Sequence, residues 1–110
     1  MSVARERFFS AQTPESYVVD FAARLQEDSS RVGIDCLVLS LPRPNRVRTP
    51  LLVLGADEDG AHTREEILAT ARAYGTEAEF FPHMGHNMML EPGWAAVAER
   101  IHAWLAARRL

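Results

Sequence analysis

An acidic residue and a histidine follow two neighbouring apolar runs, and together they could perform acid–base chemistry. Asp59 follows the apolar run of residues 50–55, and His86 follows the run of residues 77–82. If both runs are parallel strands joined by a helix, their C-terminal ends meet at the same edge of a sheet. α/β sheets keep their active sites at that edge. We therefore predict that Asp59 is an orienting acid and His86 a general base, two members of a nucleophile–base–acid triad.

The identity of the acid is open from position alone, because the turn between Gly55 and Gly60 holds three carboxylates. Asp57 and Glu58 are rival candidates to Asp59. An acidic turn that only faces solvent is the alternative, since Asp and Gly are common turn residues.

The histidine stands in a segment that could fix its ring. Gly85 allows the chain to turn directly before His86, and we expect the apolar residues 88–90 to pack beneath the imidazole. A base must be held in this way to meet a nucleophile within hydrogen-bonding reach. The alternative is a surface turn with two ordinary histidines, His83 and His86.

A metal site is a weaker alternative for the same residues. It would use His83 and His86 together with Asp57 or Asp59. Histidines three apart share a metal on a helix, and a helix is unfavourable next to Pro82. We therefore predict no metal and no cofactor.

The nucleophile of such a triad has no candidate in the chain. No serine lies in a Gly-x-Ser-x-Gly elbow, and the serines are Ser2, Ser10, Ser16, Ser29, Ser30 and Ser40. The single cysteine, Cys36, follows an apolar helical pattern, so we expect it in the core. All 12 basic residues are arginine, which excludes a Ser–Lys pair and a Schiff-base lysine.

Two helices are predicted before a proline-rich connector at residues 42–50. The first covers residues 14–28, with Thr13 as N-cap and Pro14 as first helical residue. A second, short helix is predicted to follow, with Ser29 or Ser30 as its N-cap.

Beyond the connector the pattern predicts strand, helix, strand and helix. The strand at residues 51–55 is apolar on both faces, as in a parallel sheet. Thr63 and Glu66 have the spacing of a capping box, and Gly75 is the expected stop of that helix. Residues 77–82 form the second strand. The last helix begins near Gly93 with an apolar stripe, in which Trp94 and Trp104 are expected core anchors.

Composition sets limits on the class of protein. The chain has 110 residues, enough for one domain. Its formal net charge is −3 and it has no basic cluster, so we expect no nucleic acid partner and no membrane partner. No apolar stretch reaches the 18 or so residues of a membrane span, and the charged N-terminal residues do not fit a signal peptide. One cysteine cannot form an internal disulfide, which suits the cytoplasm.

Two parallel strands are too few for an independently stable sheet. The strand at residues 51–55 has one neighbour within the chain, so its other edge is bare and invites pairing. We therefore expect a homo-oligomer or a complementing chain.

These residues resemble the C-terminal part of α/β-hydrolase fold proteins. The resemblance rests on residues 48–59, 70–75 and 81–94, and residues 8–44 are similar to the end of the helical cap of that family. It implies a cap-like segment at residues 1–44 and an incomplete α/β core at residues 45–110, with two parallel strands and flanking helices. By the resemblance, Asp59 and His86 match the acid and the base.

The family's nucleophile elbow, oxyanion-hole loop and earlier strands have no counterpart here. The implied function is hydrolysis of a small-molecule ester, thioester or amide, with negligible activity of the chain alone. The alternative function is a non-catalytic remnant or an oligomerising binding module.

Overall fold

The computed structural model describes residues 2–110, apart from the side chain of Leu39. In that part of the chain there are seven regular elements: α1 (Val3–Phe8), α2 (Glu15–Ala23), α3 (Ser30–Ile34), β1 (Val53–Ala56), α4 (Arg64–Ala73), β2 (Ala78–Phe81) and α5 (Trp94–Ala107). A π-helical turn, Asp35–Leu39, continues α3, and 3₁₀ turns lie at Pro44–Arg46 and Met88–Leu90.

The two strands form a parallel sheet, as the sequence predicts. Val53 is paired with Ala78 and Ala56 with Phe81. The contact continues past the strands, because Asp57 N–H donates to the carbonyl of Phe81 at 3.0 Å. The chain is therefore a mixed α/β protein in which α4 connects parallel neighbours, and the segments after β1 and β2 leave the sheet at the same edge.

Helix α4 begins and ends as its sequence predicts. Thr63 and Glu66 form a capping box, in which Thr63 N–H donates to the Glu66 carboxylate at 2.8 Å and Glu66 N–H to the Thr63 hydroxyl at 3.2 Å. Gly75 follows with a φ of 70°. Thr76 N–H donates back to the carbonyl of Ala71 at 3.0 Å, which completes a Schellman motif.

The prediction for the first long helix is wrong at both ends. Pro14 is the N-cap residue, and Thr13 does not cap the helix, because its hydroxyl donates to Glu91 at 2.6 Å. The helix ends at Ala23 and does not reach residue 28. The residues from 26 to 28 are all polar, and Ser29 then caps α3 by accepting from Val32 N–H.

Two residues expected in the core are exposed. Cys36 is an exposed free thiol, because the π turn that carries it packs mainly on α3. Trp94 is 55% exposed, and Ile101 on the same face of α5 is 40% exposed. Within residues 2–110, no element covers this face of α5 fully.

The core is divided into two small clusters. One consists of Ala4, Phe9 and Val18 with Phe8 and Phe21 packed around them. The other lies between the sheet and α5, and contains Ala56, Met84 and Val97 with Leu54, Phe81 and Met88 at its border. The first cluster joins α1 to α2, and the second fixes the loops that follow the strands.

The surface is larger than a compact protein of this mass would have. The accessible area is 8400 Å², whereas a compact 12.3 kDa monomer would expose about 6,100 Å². The radius of gyration is 15.7 Å, against about 13 Å for a compact domain of this length. None of the helices described here has the length and apolarity needed to cross a membrane.

Candidate active site

Asp59 and His86 meet at the edge of the sheet where both strands end. The Oδ2 atom of Asp59 lies 3.0 Å from Nδ1 of His86. A carboxylate can only accept at this distance, so Nδ1 carries a proton, and in the neutral imidazole Nε2 then holds a free lone pair. The Asp59 side chain is 8% exposed and that of His86 is 35% exposed. The geometry therefore gives a shielded acid behind a histidine whose second nitrogen can accept a proton from outside.

The second oxygen of Asp59 is held by the backbone of its own turn. Oδ1 accepts from Ala61 N–H at 2.8 Å and from His62 N–H at 3.0 Å. Burial alone would raise the pKa of Asp59, but the hydrogen bonds from His86, His62 and Ala61 outweigh it and lower the pKa below the ordinary value. The lowered pKa favours the ionised carboxylate, and the hydrogen bonds from its own turn fix its orientation.

The two rival carboxylates point elsewhere. Asp57 Oδ1 forms an ion pair with Arg64 Nη1 at 3.0 Å, and its side chain is 44% exposed. Glu58 is exposed, and its backbone N–H donates to the carbonyl of Met84. Of the three acids in the turn, Asp59 is the one in contact with His86.

The side chains around the His86 ring differ from the expected ones. Met89 and Leu90 are 69% and 42% exposed, and Met88 packs at the border of the core cluster beside α5. The ring is flanked by Phe8, with ring centroids 6.1 Å apart, and by His62 at 5.4 Å. Neither was predicted from the sequence: the N-terminal helix gives no local sign that Phe8 lies beside His86, and His62, three residues after Asp59, was not singled out.

The N-terminal segment packs tightly on both loops that carry the pair. A Cβ atom added at Gly60 would lie 1.8 Å from the carbonyl oxygen of Glu6. One added at Gly85 would lie 2.5 Å from the carbonyl carbon of Phe9. Backbone meets backbone at both positions, so only glycine fits without separating the segment from the loops. Residues 6–10 thus support the loops of Asp59 and His86 together.

Glu91 is a buried carboxylate that sequence reasoning did not single out. Its side chain is fully buried, at 1% exposure, between the histidine loop and the N-terminal segment. Oε1 accepts from Ser10 N–H at 2.7 Å and Gly85 N–H at 3.0 Å, and Oε2 accepts from the hydroxyls of Ser10 and Thr13 at 2.8 and 2.6 Å. Burial raises the pKa of Glu91, but these four hydrogen bonds lower it overall.

Acid should destabilise the protein through Glu91. Because its folded pKa is lowered, its contribution to stability is fully present above the ordinary value of 4.5 and is lost as pH falls below it. We expect the melting temperature to be flat from about pH 6 to 7 and to fall below about pH 4.5. Thermal unfolding followed by circular dichroism at a series of pH values measures this.

The matched variants are Glu91→Gln and Glu79→Gln. The first should reduce the acid-dependent loss of stability. The second removes the ion pair between Glu79 and Arg100, in which the Glu79 side chain is 40% exposed. Because solvent screens this pair, Glu79→Gln should change the acid dependence less than Glu91→Gln does. An acid dependence that is identical in wild type and Glu91→Gln would contradict this prediction.

The metal alternative has no arrangement of ligands to support it in the described part of the chain. Among residues 2–110, no group of three or more His, Cys, Asp or Glu side chains is placed to hold a metal ion. His83 is exposed in a left-handed turn with a φ of 56°. In the described part of the chain, the observed hydrogen-bond partner of the His86 ring is the Asp59 carboxylate.

Comparison with known proteins adds no relative. The sequence matches no protein-family model and no curated protein, and its fold finds no significant match among solved structures.

Proposed function

We propose that this chain supplies the acid and the base of an α/β-hydrolase-type triad, whose nucleophile comes from residues outside this sequence. The observation that carries the proposal is the 3.0 Å contact between Asp59 and His86 at the carboxyl ends of adjacent parallel strands. The sequence resemblance to the C-terminal part of α/β hydrolases supports the same interpretation.

In the completed site, His86 Nε2 takes the proton of the nucleophile as it attacks a carbonyl carbon. His86 then gives this proton to the leaving group. Asp59 holds the Nδ1–H tautomer and stabilises the imidazolium that forms between these steps. The substrate class is a small-molecule ester, thioester or amide, and no cofactor is needed for this chemistry. A cytoplasmic location is part of the proposal, supported by the single cysteine.

The chain alone should not hydrolyse such substrates at a significant rate. Ser10, the serine closest in the chain to Phe8 beside the base, donates its hydroxyl to Glu91. In the described residues, Asn87 Nδ2 next to His86 is buried without a hydrogen-bond partner. A buried donor left unpaired costs about 1–3 kcal/mol, so an acceptor supplied by a complementing chain would be stabilising beside His86.

The test uses the full chain as bait and a fluorophosphonate probe, which reacts with activated serines. Co-purified proteins are labelled with and without added bait, and labelled bands are sequenced. We expect a labelled partner with a Gly-x-Ser-x-Gly elbow, whose labelling is lost with His86→Ala bait. His102→Ala is the matched control, since His102 lies exposed on α5.

Two results would overturn the proposal. One is ester hydrolysis by the purified chain that His86→Ala leaves unchanged. The other is an elbow-bearing partner whose labelling is the same with His86→Ala and wild-type bait.

The exposed surface supports a complementing chain or a second copy as partner. The accessible surface area exceeds that expected for a compact monomer by about 2,300 Å². This is more than the roughly 800 Å² that each partner buries in a stable complex. β1 pairs with β2 on one side only within the described sheet. Beside β1 lies an apolar groove of about 250 Å³, lined among others by Leu54, Trp94 and Ile101. A strand added to β1 would find apolar surface next to it.

Self-association or partner binding should depend on this face of α5. Ile101→Arg should weaken association at least tenfold, because burying a guanidinium in an apolar contact costs more than about 1.4 kcal/mol. Analytical ultracentrifugation of the purified chain measures the mass in solution. Val19→Arg, at an exposed apolar position of α2, is the matched control. A monodisperse wild-type monomer that unfolds cooperatively would contradict the prediction.

The same surface favours one second candidate, an oligomerising module without catalysis. In that case the purified chain forms a stable homo-oligomer through the α5 face, and no elbow-bearing partner is recovered. The labelling experiment and the mass measurement together separate the two functions.

A further inference from the structure

Glu91 is an unusual residue to find fully buried. A carboxylate is costly to remove from water unless hydrogen bonds or a cation compensate it. Four hydrogen bonds compensate it here. The donors are the backbone N–H groups of Ser10 and Gly85 and the hydroxyls of Ser10 and Thr13. Ser10 and Thr13 lie about 80 residues away in sequence, whereas Gly85 directly precedes His86. The carboxylate therefore joins the N-terminal segment to the loop of the base.

The backbone on the other side of His86 is tied to the same segment. Asn87 N–H donates to the carbonyl of Phe8 at 2.9 Å, and the Phe8 ring flanks the imidazole. His86 is thus held between two attachments, one direct through Asn87 and one through Glu91 to Ser10. Without the Glu91 attachment, the residue before the base loses its buried hydrogen-bond acceptor.

The N-terminal segment is itself fixed from its other side. The Arg5 guanidinium donates to the carbonyl of Ser10 from Nη1 and to that of Thr13 from Nη2, both at 2.9 Å. Arg5 is anchored in turn by Glu15, with Nη2 2.6 Å from a carboxylate oxygen. Glu91 consequently binds to a segment that is itself held by hydrogen bonds, which is what a positioning contact requires.

We propose that Glu91 is a positioning residue for His86, holding the base in the orientation that meets Asp59 by joining Gly85 to Ser10 and Thr13. Its meaning for catalysis rests on the proposed hydrolase function, but its effect on the imidazole does not. Glutamate suits the role because its two oxygens can accept all four donors. Glutamine has one acceptor oxygen. Its NH₂ group can take the place of the second carboxylate oxygen only if the hydroxyls of Ser10 and Thr13 rotate so that they accept instead of donate.

The experiment is ¹⁵N NMR of the histidine rings in the full chain at neutral pH. Wild type should show His86 in the Nδ1–H tautomer, with a proton that is protected from exchange by the Asp59 hydrogen bond. Glu91→Ala should divide His86 between both tautomers and accelerate exchange of that proton at least about tenfold, as the loop opens more easily. Glu91→Gln should restore most of the wild-type spectrum, and Glu79→Gln should leave it unchanged.

Milder variants keep the test decisive if Glu91→Ala does not fold. Thr13→Val and Ser10→Ala each remove one hydroxyl donor and should each accelerate the exchange by a smaller factor. A folded Glu91→Ala with the wild-type tautomer and exchange rate would overturn the proposal. So would hydroxyl variants that lower the melting temperature yet leave the His86 signals unchanged. A chain that never gains hydrolase activity would contradict the proposed function alone, since these signals do not require a substrate.

Discussion

Replacing Gly85 with alanine should lower the melting temperature by more than about 10 °C. The added Cβ would lie 2.5 Å from the carbonyl carbon of Phe9, 2.6 Å from its Cα and 2.7 Å from the nitrogen of Ser10. All three are backbone atoms, so no side-chain rotation relieves the contact, and overpacking of this kind costs about 3 kcal/mol. In a domain of this size, that free energy corresponds to a fall of at least about 10 °C.

The matched control is Gly33→Ala in α3. No atom lies within 4 Å of a Cβ at this position, and Gly33 is helical. Alanine in a helix is more stable than glycine by about 0.5–1 kcal/mol, so this variant should be neutral or slightly more stable. Thermal unfolding of both variants and the wild type provides the measurement. Equal melting temperatures for Gly85→Ala and Gly33→Ala would show that the N-terminal segment does not press on the histidine loop.

Several features of the fold and of the candidate site could be predicted from the sequence. The capping box of α4, the stop at Gly75 and the parallel strand pair were predictable, because each depends on residues close in the chain or on apolar runs. The placement of Asp59 and His86 at one sheet edge followed from the strand–helix–strand order alone. These features are local or topological, so periodicity and turn chemistry are sufficient to predict them.

The support of the pair was not predictable by the same means. Ser10 and Glu91 are 81 residues apart, and Gly60 meets the backbone of Glu6, which is 54 positions earlier in the chain. No periodic pattern links such positions. Thr13 illustrates the competition: a threonine before proline is a typical N-cap signal, but its hydroxyl satisfies a buried carboxylate instead. Tertiary contact therefore overrode a local preference.

Apolar residues that are exposed also show the limit of prediction from the sequence. Cys36 and Trp94 are apolar residues at the helical spacing of core positions, yet both are exposed. Apolar periodicity predicts that a face will be covered, but it does not say by which chain. The face of α5 that carries Trp94 is therefore consistent with the predicted partner, and the association experiment with Ile101→Arg addresses it directly.

Under the proposed function, Asp59→Asn should reduce the hydrolytic rate of the completed site by about 10⁴-fold, the order of loss that follows when a triad acid becomes an amide. In the native turn, Oδ1 accepts from two backbone N–H groups, so the asparagine carbonyl should occupy that position and its amide should face His86. An amide donates to Nδ1, which forces the proton onto Nε2. The imidazole would then remain in place but could no longer accept the proton of a nucleophile.

Asp57→Asn is the matched control, and it separates the two aspartates of the turn. Asp57 pairs with Arg64 in a half-exposed contact, so its loss should change the rate by no more than about twofold. The tautomer of His86 can also be measured by ¹⁵N NMR in the chain alone, where the protonated nitrogen should switch from Nδ1 to Nε2 in Asp59→Asn only. Equal effects of the two substitutions, or an unchanged tautomer in Asp59→Asn, would remove Asp59 from the role of orienting acid. A switch confined to Asp59→Asn would instead show that the carboxylate sets the proton on His86 before any nucleophile arrives.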